Sequence, residues 1–550
     1  MSSQEPQPTT LYPELDEAAL ARIAEALETG DTSHLAPARA AEIEQLRSRV
    51  DFRRVTVPRP PEGGSTKVSL DGALWAHRDG EARPVVVMPS PWTDAGWLVY
   101  VAQAIRFALK GYDVLAYTAR GFAGSGGHVE VAGTPDIEDG IAALDFAIEQ
   151  IGTEPTSVGF LGDSYGSGIS QLVAAHEPRV KAVAALSTWG DLGKAFYEND
   201  TRHVASVAAL LKAAAKARLS EKTQQVFADV LNNENVPDTL AWAVPRSPIT
   251  YIEQINDNDV AVLFANAWHE TLFPSNQMLE TFNRLTGPKR LLMSIGDHSG
   301  PEATGIVGLP NRIWEDAHRW FDHHLKGVDN DIDTEGEVVS EIMWHGPIEE
   351  RSTWGAVTGR TERLYLSAPQ NGGDGTLTDK PSGDGDVTFR AGTDTRATVA
   401  DAIIFSGFAE LAGLPRVYRT GKIDRANAGV WVTAPLPVVT PLRGIPRLHL
   451  TYTVDAPEST LVAYLFAVGP RGLGHIITHA PFTRLLGEAG ESVTVDIELQ
   501  ATGYNVPAGH RVMLVVDTID PFYGAATVEG STITIAPTES DPHHLDLPLG

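Results

Sequence analysis

Cysteine is absent from the 550 residues. No disulfide, thiolate metal site or cysteine nucleophile can exist in this chain, so covalent catalysis would need another side chain. Positive charge is scarce: 43 Lys and Arg stand against 71 Asp and Glu, a net charge of −28. Nucleic acid and anionic membrane surfaces are repelled by such a chain and are excluded as partners. Solubility, with some salt tolerance, is the simple reading of the charge; an acidic funnel for cationic substrates is the sharper one. Long apolar runs are also missing, since no stretch approaches the roughly 20 residues of a membrane helix. Residues 1–10 are polar and proline-rich, without the basic start and apolar centre of a secretory signal. A cytoplasmic protein is expected, unless a leader has been removed. No HExxH pattern or carboxylate cluster points to a metal, and no cofactor is expected.

What is there reads as a globular chain of two or three domains, with 42% hydrophobic and 21% charged residues. Apolar residues at helical spacing (Leu15, Ala18, Ala19, Ile23, Ala26, Leu27, Ile43, Leu46) predict a helical extension over 1–50. From 51 to 192 strand and helix patterns alternate. Val85-Val86-Val87-Met88 and Asp113-Val114-Leu115-Ala116-Tyr117 are the apolar runs of strands buried on both faces. Residues 193–255 break the rhythm with Ala-, Lys- and Gln-rich helices, read as a cap inserted over the active site. Alternation resumes over 256–330 and ends in an acidic linker at 329–335. From 331 to 550 short β-rich runs alternate with turn residues, including loops at 372–375 and 382–385. The alternation predicts a mostly parallel sheet covered on both faces; with the Gly162-Asp163-Ser164-Tyr165-Gly166 turn it makes an α/β-hydrolase domain with a helical cap the expectation, followed by a β-sandwich of jelly-roll type.

The chemistry is carried by Gly162-Asp163-Ser164-Tyr165-Gly166, set between an apolar strand and a small-residue helix start. A serine with glycine two residues to each side at such a turn is a nucleophile elbow. A serine hydroxyl needs a base, and the base needs an acid to hold its tautomer. In this architecture the chain order is Ser, acid, His, each after a strand. His298, in Gly296-Asp297-His298-Ser299-Gly300, is the expected base, and Glu270, in Trp268-His269-Glu270-Thr271-Leu272-Phe273, the expected acid. Asp297 and Asp257 are rival acids and His269 a rival base. Neighbours on one loop rarely face each other, which favours Asp297 as a turn former. The expected oxyanion donors are the Tyr165 backbone N–H and Trp92, through its backbone or indole N–H, because Pro91 has none. Trp97, Trp268 and Trp242 are expected to line an apolar pocket. Gly121, Gly124, Gly126 and Gly127 lack dinucleotide-binding spacing and read as a tight turn, with Arg120 in a structural ion pair. His323-His324 diverge on a helix and His543-His544 lie in a tail, so neither reads as a metal site.

These residues resemble the cocaine esterase and X-Pro dipeptidyl-peptidase group of serine α/β-hydrolases over about residues 55–535. Arg120-Gly121 with Ser125 and Gly127 is similar to that group's R-G-x-x-x-S-x-G stretch, and Trp268 to Phe273 to its W-x-D-x-L-F block. Pro507-Ala508-Gly509-His510-Arg511 resembles its jelly-roll P-G-H-R motif. The resemblance places Glu270 at the acid and His298 at the base. Glu270 stands where members usually carry Asp, Ser90-Pro91-Trp92 where esterase-like members carry N-P-Y, and Thr118 where an Asp is usual. The implied activity is cleavage of an ester or amide in a small-molecule substrate through an acyl-enzyme, with ester preferred. Acyl transfer with the same triad and an X-Pro or aminoacyl peptidase stay open, as does homo-oligomerisation. A ligand-binding protein on a degenerate hydrolase is the least favoured reading.

Overall fold

Runs of branched and small apolar residues build the first sheet of the computed structural model, which describes residues 17–59, 68–344, 346–369, 373–381, 386–536 and 540–550. Residues 1–10, Leu15, Gly372 and the loop at 382–385 lie outside the described residues. In chain order the strands are β1 (Val50–Pro58), β2 (Ser69–His77), β3 (Val85–Pro89), β4 (Asp113–Tyr117), β5 (Val158–Asp163) and β6 (Val180–Leu186). A small hairpin, β7 (Tyr197–Glu198) and β8 (Thr201–Arg202), opens the insertion. β9 (Ala261–Ala267), β10 (Lys289–Ser294), β11 (Val338–Ser340) and β12 (Glu349–Arg351) follow.

The sheet order is β1-β2-β4-β3-β5-β6-β9-β10-β11-β12. The seven strands from β4 to β11 in that order are parallel, and β1, β2 and β12 run antiparallel to their neighbours. Every residue of β3, β4, β5 and β9 is buried, because helices such as Thr134–Ile151, Tyr165–His176 and Arg312–Lys326 cover the sheet. Helices Glu17–Thr29 and Pro37–Arg47 pack against helix Val101–Leu109 and β1. The sheet continues past residue 331. Glu335, in the acidic stretch read as a linker, binds Arg290 and Arg319, and Val338 and Val339 then add β11 to the edge of β10.

The insertion holds helices Val204–Ala213, Glu221–Asn232 and Val236–Ala243. Ser220 caps the second by accepting from the Thr223 N–H at 3.1 Å.

The C-terminal part is a β-sandwich. One layer carries Gly429–Val432, Arg511–Asp517, Ser459–Val468 and Leu473–Arg484; the other carries Thr532–Ile535, Arg447–Val454, His544–Leu549 and Arg360–Leu366, and strand Gly375–Thr378 pairs with both to make the hydrogen-bonded path continuous. All ten residues of Ser459–Val468 are buried. Leu461, Ala463, Leu465 and Ala467 face the main core, while Val462, Tyr464, Phe466 and Val468 face a second core with Val399, Tyr418 and Phe522. Ala397, Val399, Ala400 and Tyr418, on either side of helix Phe405–Leu411, belong to this second core, and the helix itself reaches the first domain, with Gly407 against Asp297. Among the described residues no helix is long and apolar enough to cross a membrane.

Candidate active site

Parallel strands bring their carboxyl ends to one edge, and the loops leaving β3, β5, β9 and β10 meet there. The turn after β5 is so tight that Ser164 adopts φ +53°, a strained region for a side-chain-bearing residue. A Cβ on Gly162 would lie 2.0 Å from the carbonyl carbon of Gly166, and one on Gly166 would lie 2.1 Å from the Pro89 carbonyl oxygen. Both positions therefore require glycine, for closeness of backbone to backbone. Ser164 stands at the N-cap of helix Tyr165–His176, where first-turn amides have no acceptor within the helix.

His298 Nε2 lies 2.7 Å from Ser164 Oγ, and His298 Nδ1 lies 2.9 Å from Glu270 Oε1. The same Glu270 oxygen accepts the N–H groups of Leu272 and Phe273, each at 3.2 Å. All three side chains are buried: Ser164 is 2%, His298 1% and Glu270 1% exposed. Burial alone would lower the imidazolium pKa, but the Glu270 carboxylate outweighs it, helped by Asp163 and Asp297, so His298 is shifted up from 6.5.

The rivals go elsewhere. Asp297 accepts from the backbone N–H of Thr271 and of His298, each at 2.7 Å, and from Thr271 Oγ1 at 2.7 Å. It shapes the turn and does not reach the imidazole; burial, with Glu270 next, pushes its carboxyl up to about 7. His269 faces Glu410. Asp257 ends the short helix Ile252–Asp257, ahead of β9.

Of the two donor atoms expected on Trp92, the indole is ruled out as an oxyanion donor. Its N–H donates to the Leu210 carbonyl at 3.0 Å, which leaves the main-chain N–H. The expected pocket of Trp97 and Trp268 is also corrected. Trp97 joins Phe52 and Trp75 against β1 and β2, with its indole N–H on Asp71. Trp268 gives its N–H to the Glu341 carbonyl and packs on Gly503 of the sandwich. Both are large aromatics that the sequence marks as buried without saying where. Trp242 lies on helix Val236–Ala243 of the insertion, under the Arg246 guanidinium, 4.1 Å from the ring centre. The ring that packs on the triad is Phe273, 5.2 Å from the His298 ring, and Trp189 lies behind it, 5.2 Å from Phe273. Trp92 stacks edge-on against Tyr165 at 5.1 Å, with Phe227 of helix Glu221–Asn232 at 6.2 Å. Trp189 and Phe227 carried no sequence signal beyond being aromatic, although Trp189 does follow the carboxyl end of β6.

Helix Val204–Ala213 spans the site. Ser206 Oγ donates to the Thr271 carbonyl on the acid's loop at 3.0 Å, and the Leu210 carbonyl takes the Trp92 indole on the opposite loop. The Arg120 guanidinium forks onto Asp139, both contacts at 2.8 Å, and Gly121 N–H closes the tight turn on the Gly126 carbonyl at 2.9 Å. His324 packs on Trp320 while His323 bonds the Val328 carbonyl; His543 accepts the Thr451 N–H within a buried site rather than in a loose tail. Among the described residues no group of three or more His, Asp or Glu is placed to hold a metal.

Comparison with known proteins agrees with this architecture. The family model of the X-Pro dipeptidyl-peptidase (S15 family) matches residues 66–300, and that of the X-Pro dipeptidyl-peptidase C-terminal non-catalytic domain matches 330–547. A Streptomyces avermitilis protein assigned as a Xaa-Pro dipeptidyl-peptidase is 23% identical over 507 residues, 76% of this chain and 69% of that protein. A Mycobacterium bovis protein assigned as a serine esterase is 23% identical over 336 residues, 55% of this chain; the match spans about half of that relative, 52%. The solved structure of a CocE/NonD family hydrolase from Staphylococcus aureus shares the fold, with a TM-score of 0.67 at 15% identity, over 91% of this chain and 97% of that one. The chain belongs to the X-Pro dipeptidyl-peptidase (S15) family of serine hydrolases, whose two domain models together match most of its length.

Proposed function

We propose that this hydrolase cleaves a carboxylic ester through an acyl-enzyme, with Ser164 as nucleophile, His298 as base and Glu270 as the acid that orients it. The reading rests on one observation: a single imidazole lies within hydrogen-bond reach of both the serine hydroxyl and the carboxylate. Ser164 Oγ adds to the substrate carbonyl as its proton passes to His298 Nε2. Glu270 stabilises the imidazolium, and the backbone N–H groups of Tyr165 and Trp92 receive the oxyanion. Collapse expels the alcohol, protonated by His298, and water repeats the cycle on the acyl-enzyme.

Ester is favoured over a peptide with a free amino terminus because no ionised carboxylate is offered to an ammonium group: burial, with Asp163 next, pushes the Glu302 carboxyl well above its usual range, and three other carboxyls near the triad hold partners of their own. Asp136 takes the Tyr165 hydroxyl at 3.0 Å and the Gly133 N–H, Asp163 the Ser299 hydroxyl at 2.9 Å, and Asp297 its own loop. The lining beside the triad is aromatic. The peptidase reading draws on the Streptomyces relative, the esterase reading on the mycobacterial one. The low solvent exposure of the triad supports a second reading, transfer of the acyl group to an alcohol or amine in place of water.

Fluorophosphonate labelling, with p-nitrophenyl esters of graded chain length assayed against aminoacyl-p-nitroanilides, tests this. Labelling lost in Ser164→Ala and turnover of esters are expected. Turnover of anilides alone overturns the ester preference; no labelling of folded protein overturns the hydrolase mechanism and leaves a binding protein.

A further inference from the structure

His269 precedes the acid by one residue, yet its side chain belongs to the sandwich. Its Nδ1 lies 2.8 and 2.9 Å from the two carboxylate oxygens of Glu410, and its Nε2 lies 3.2 Å from the Ile477 carbonyl oxygen. A backbone carbonyl can only accept, and so can an ionised carboxylate. Both ring nitrogens must then donate, which makes the ring an imidazolium. The pair is largely buried, at 12% and 9% side-chain exposure.

Glu410 sits on helix Phe405–Leu411, and this helix touches both triad loops. The Ile404 N–H just before it donates to Thr271 Oγ1 at 3.1 Å. Gly407 lies so close to Asp297 that a Cβ there would be 2.2 Å from the Asp297 Cβ, and Leu411 covers Gly296 and Gly300. Asp297 in turn accepts from the Thr271 N–H and hydroxyl and from the His298 N–H. The sandwich thus grips the acid's loop at His269 and the base's loop at Asp297.

We propose that Glu410, in the domain whose family description is non-catalytic, is a positioning residue for the triad: through the His269 imidazolium it fixes the loop that carries Glu270. This rests on Glu270 being the triad acid. The clamp is charge-dependent. Burial disfavours the cation, but Glu410, the Ile477 carbonyl and Asp297 outweigh it and push His269 up to about 8. The other titratable groups near it are Glu270 on its own loop, Asp297 on the base's loop, and His479 on the sandwich strand, which burial keeps neutral. Above that pH the ring loses a donor and Glu410 a cationic partner, so the grip on Glu270 weakens.

The second-order rate of fluorophosphonate labelling of Ser164 against pH tests this without knowledge of the substrate. The wild-type rate should fall on the alkaline side near pH 8. Glu410→Gln should slow labelling at pH 7 by about tenfold and shift that alkaline fall to lower pH, with Glu410→Asp recovering part of both. Leu411→Ala, on the same helix, should lower Tm without moving the alkaline limb. A wild-type pH profile in folded Glu410→Gln, or an equal shift in Leu411→Ala, overturns the inference. Undiminished labelling in Glu270→Ala would instead overturn the triad assignment on which it stands.

Discussion

The catalytic edge of the first sheet and the sandwich strand Ser459–Val468 are equally dry, and they are built by opposite means. The strand alternates apolar side chains into two cores and buries nothing charged. The edge buries Asp163, Ser164, Glu270, Asp297, His298, Ser299 and Glu302 together, and holds Ser164, Ser187 and Ser299 at positive φ. Buried carboxyls and strained backbone cost stability and persist only where the surroundings over-determine them. Dryness on the strand serves cohesion; at the edge it strengthens electrostatics around a reacting hydroxyl.

The two regions should therefore fail differently. Ser164→Ala is expected to lower ester turnover by roughly 10⁴-fold or more while leaving Tm near the wild-type value, since one small hydroxyl is removed. Phe466→Ala, fully buried on the strand, is expected to cost about 3–5 kcal/mol in stability with turnover per folded molecule unchanged. Chemical denaturation beside active-site titration measures both. A large stability loss in the first, or a dead but folded second, would erase the distinction. Gly166→Ala belongs to both classes: its Cβ would run into the Pro89 carbonyl, so lost labelling together with a lowered Tm is the expected outcome.

Legibility in the sequence follows the same line. That Ser164, His298 and Glu270 come together was legible because the proposed chemistry wants those side chains in that order after separate strands, and the glycines at 162 and 166 because backbone passes backbone there. Strands such as β3, β4 and β5 were legible as uninterrupted apolar runs. Trp97 and Trp268 were not, because an indole buried in a core and one lining a pocket look alike in a chain. Trp92 was half legible. Its place after β3 named a donor, but only the approach of the Leu210 carbonyl, 118 positions away, removed the indole from the choice. The grip of Glu410 on His269 joins residues 141 apart and left no local pattern. Its short helix sits amid the turns and strands of the sandwich, where nothing in the spacing marks it as facing the triad.

Acid should separate the regions more gently. His318 is buried against Phe107, with its Nε2 3.0 Å from Gln103 Oε1, and burial depresses it to about 3. The unfolded chain takes up that proton near 6.5 while the folded one does not, so stability falls as pH drops below 6.5 and goes on falling toward 3. His318→Gln should flatten part of that slope in Tm. Turnover answers to a different group. His298 must be neutral to act and its pKa is raised, so the acid limb of kcat/KM should lie above 6.5. A limb at lower pH would mean that Glu270 does not stabilise the imidazolium as its 2.9 Å contact implies.

The smallest effect is expected at the surface of the sandwich. Arg363 forks onto Asp546 across paired strands with both contacts at 2.8 Å. The geometry matches a strong pair, but the Arg side chain is 49% exposed, so water and salt screen it. Asp546→Asn should cost about 0.2–1 kcal/mol and less at high salt, with no change in turnover. A loss of several kcal/mol that survives salt would show charge holding the sandwich together as firmly as its apolar strands. The contrast with the catalytic edge would then rest on chemistry alone and not on how each region is kept folded.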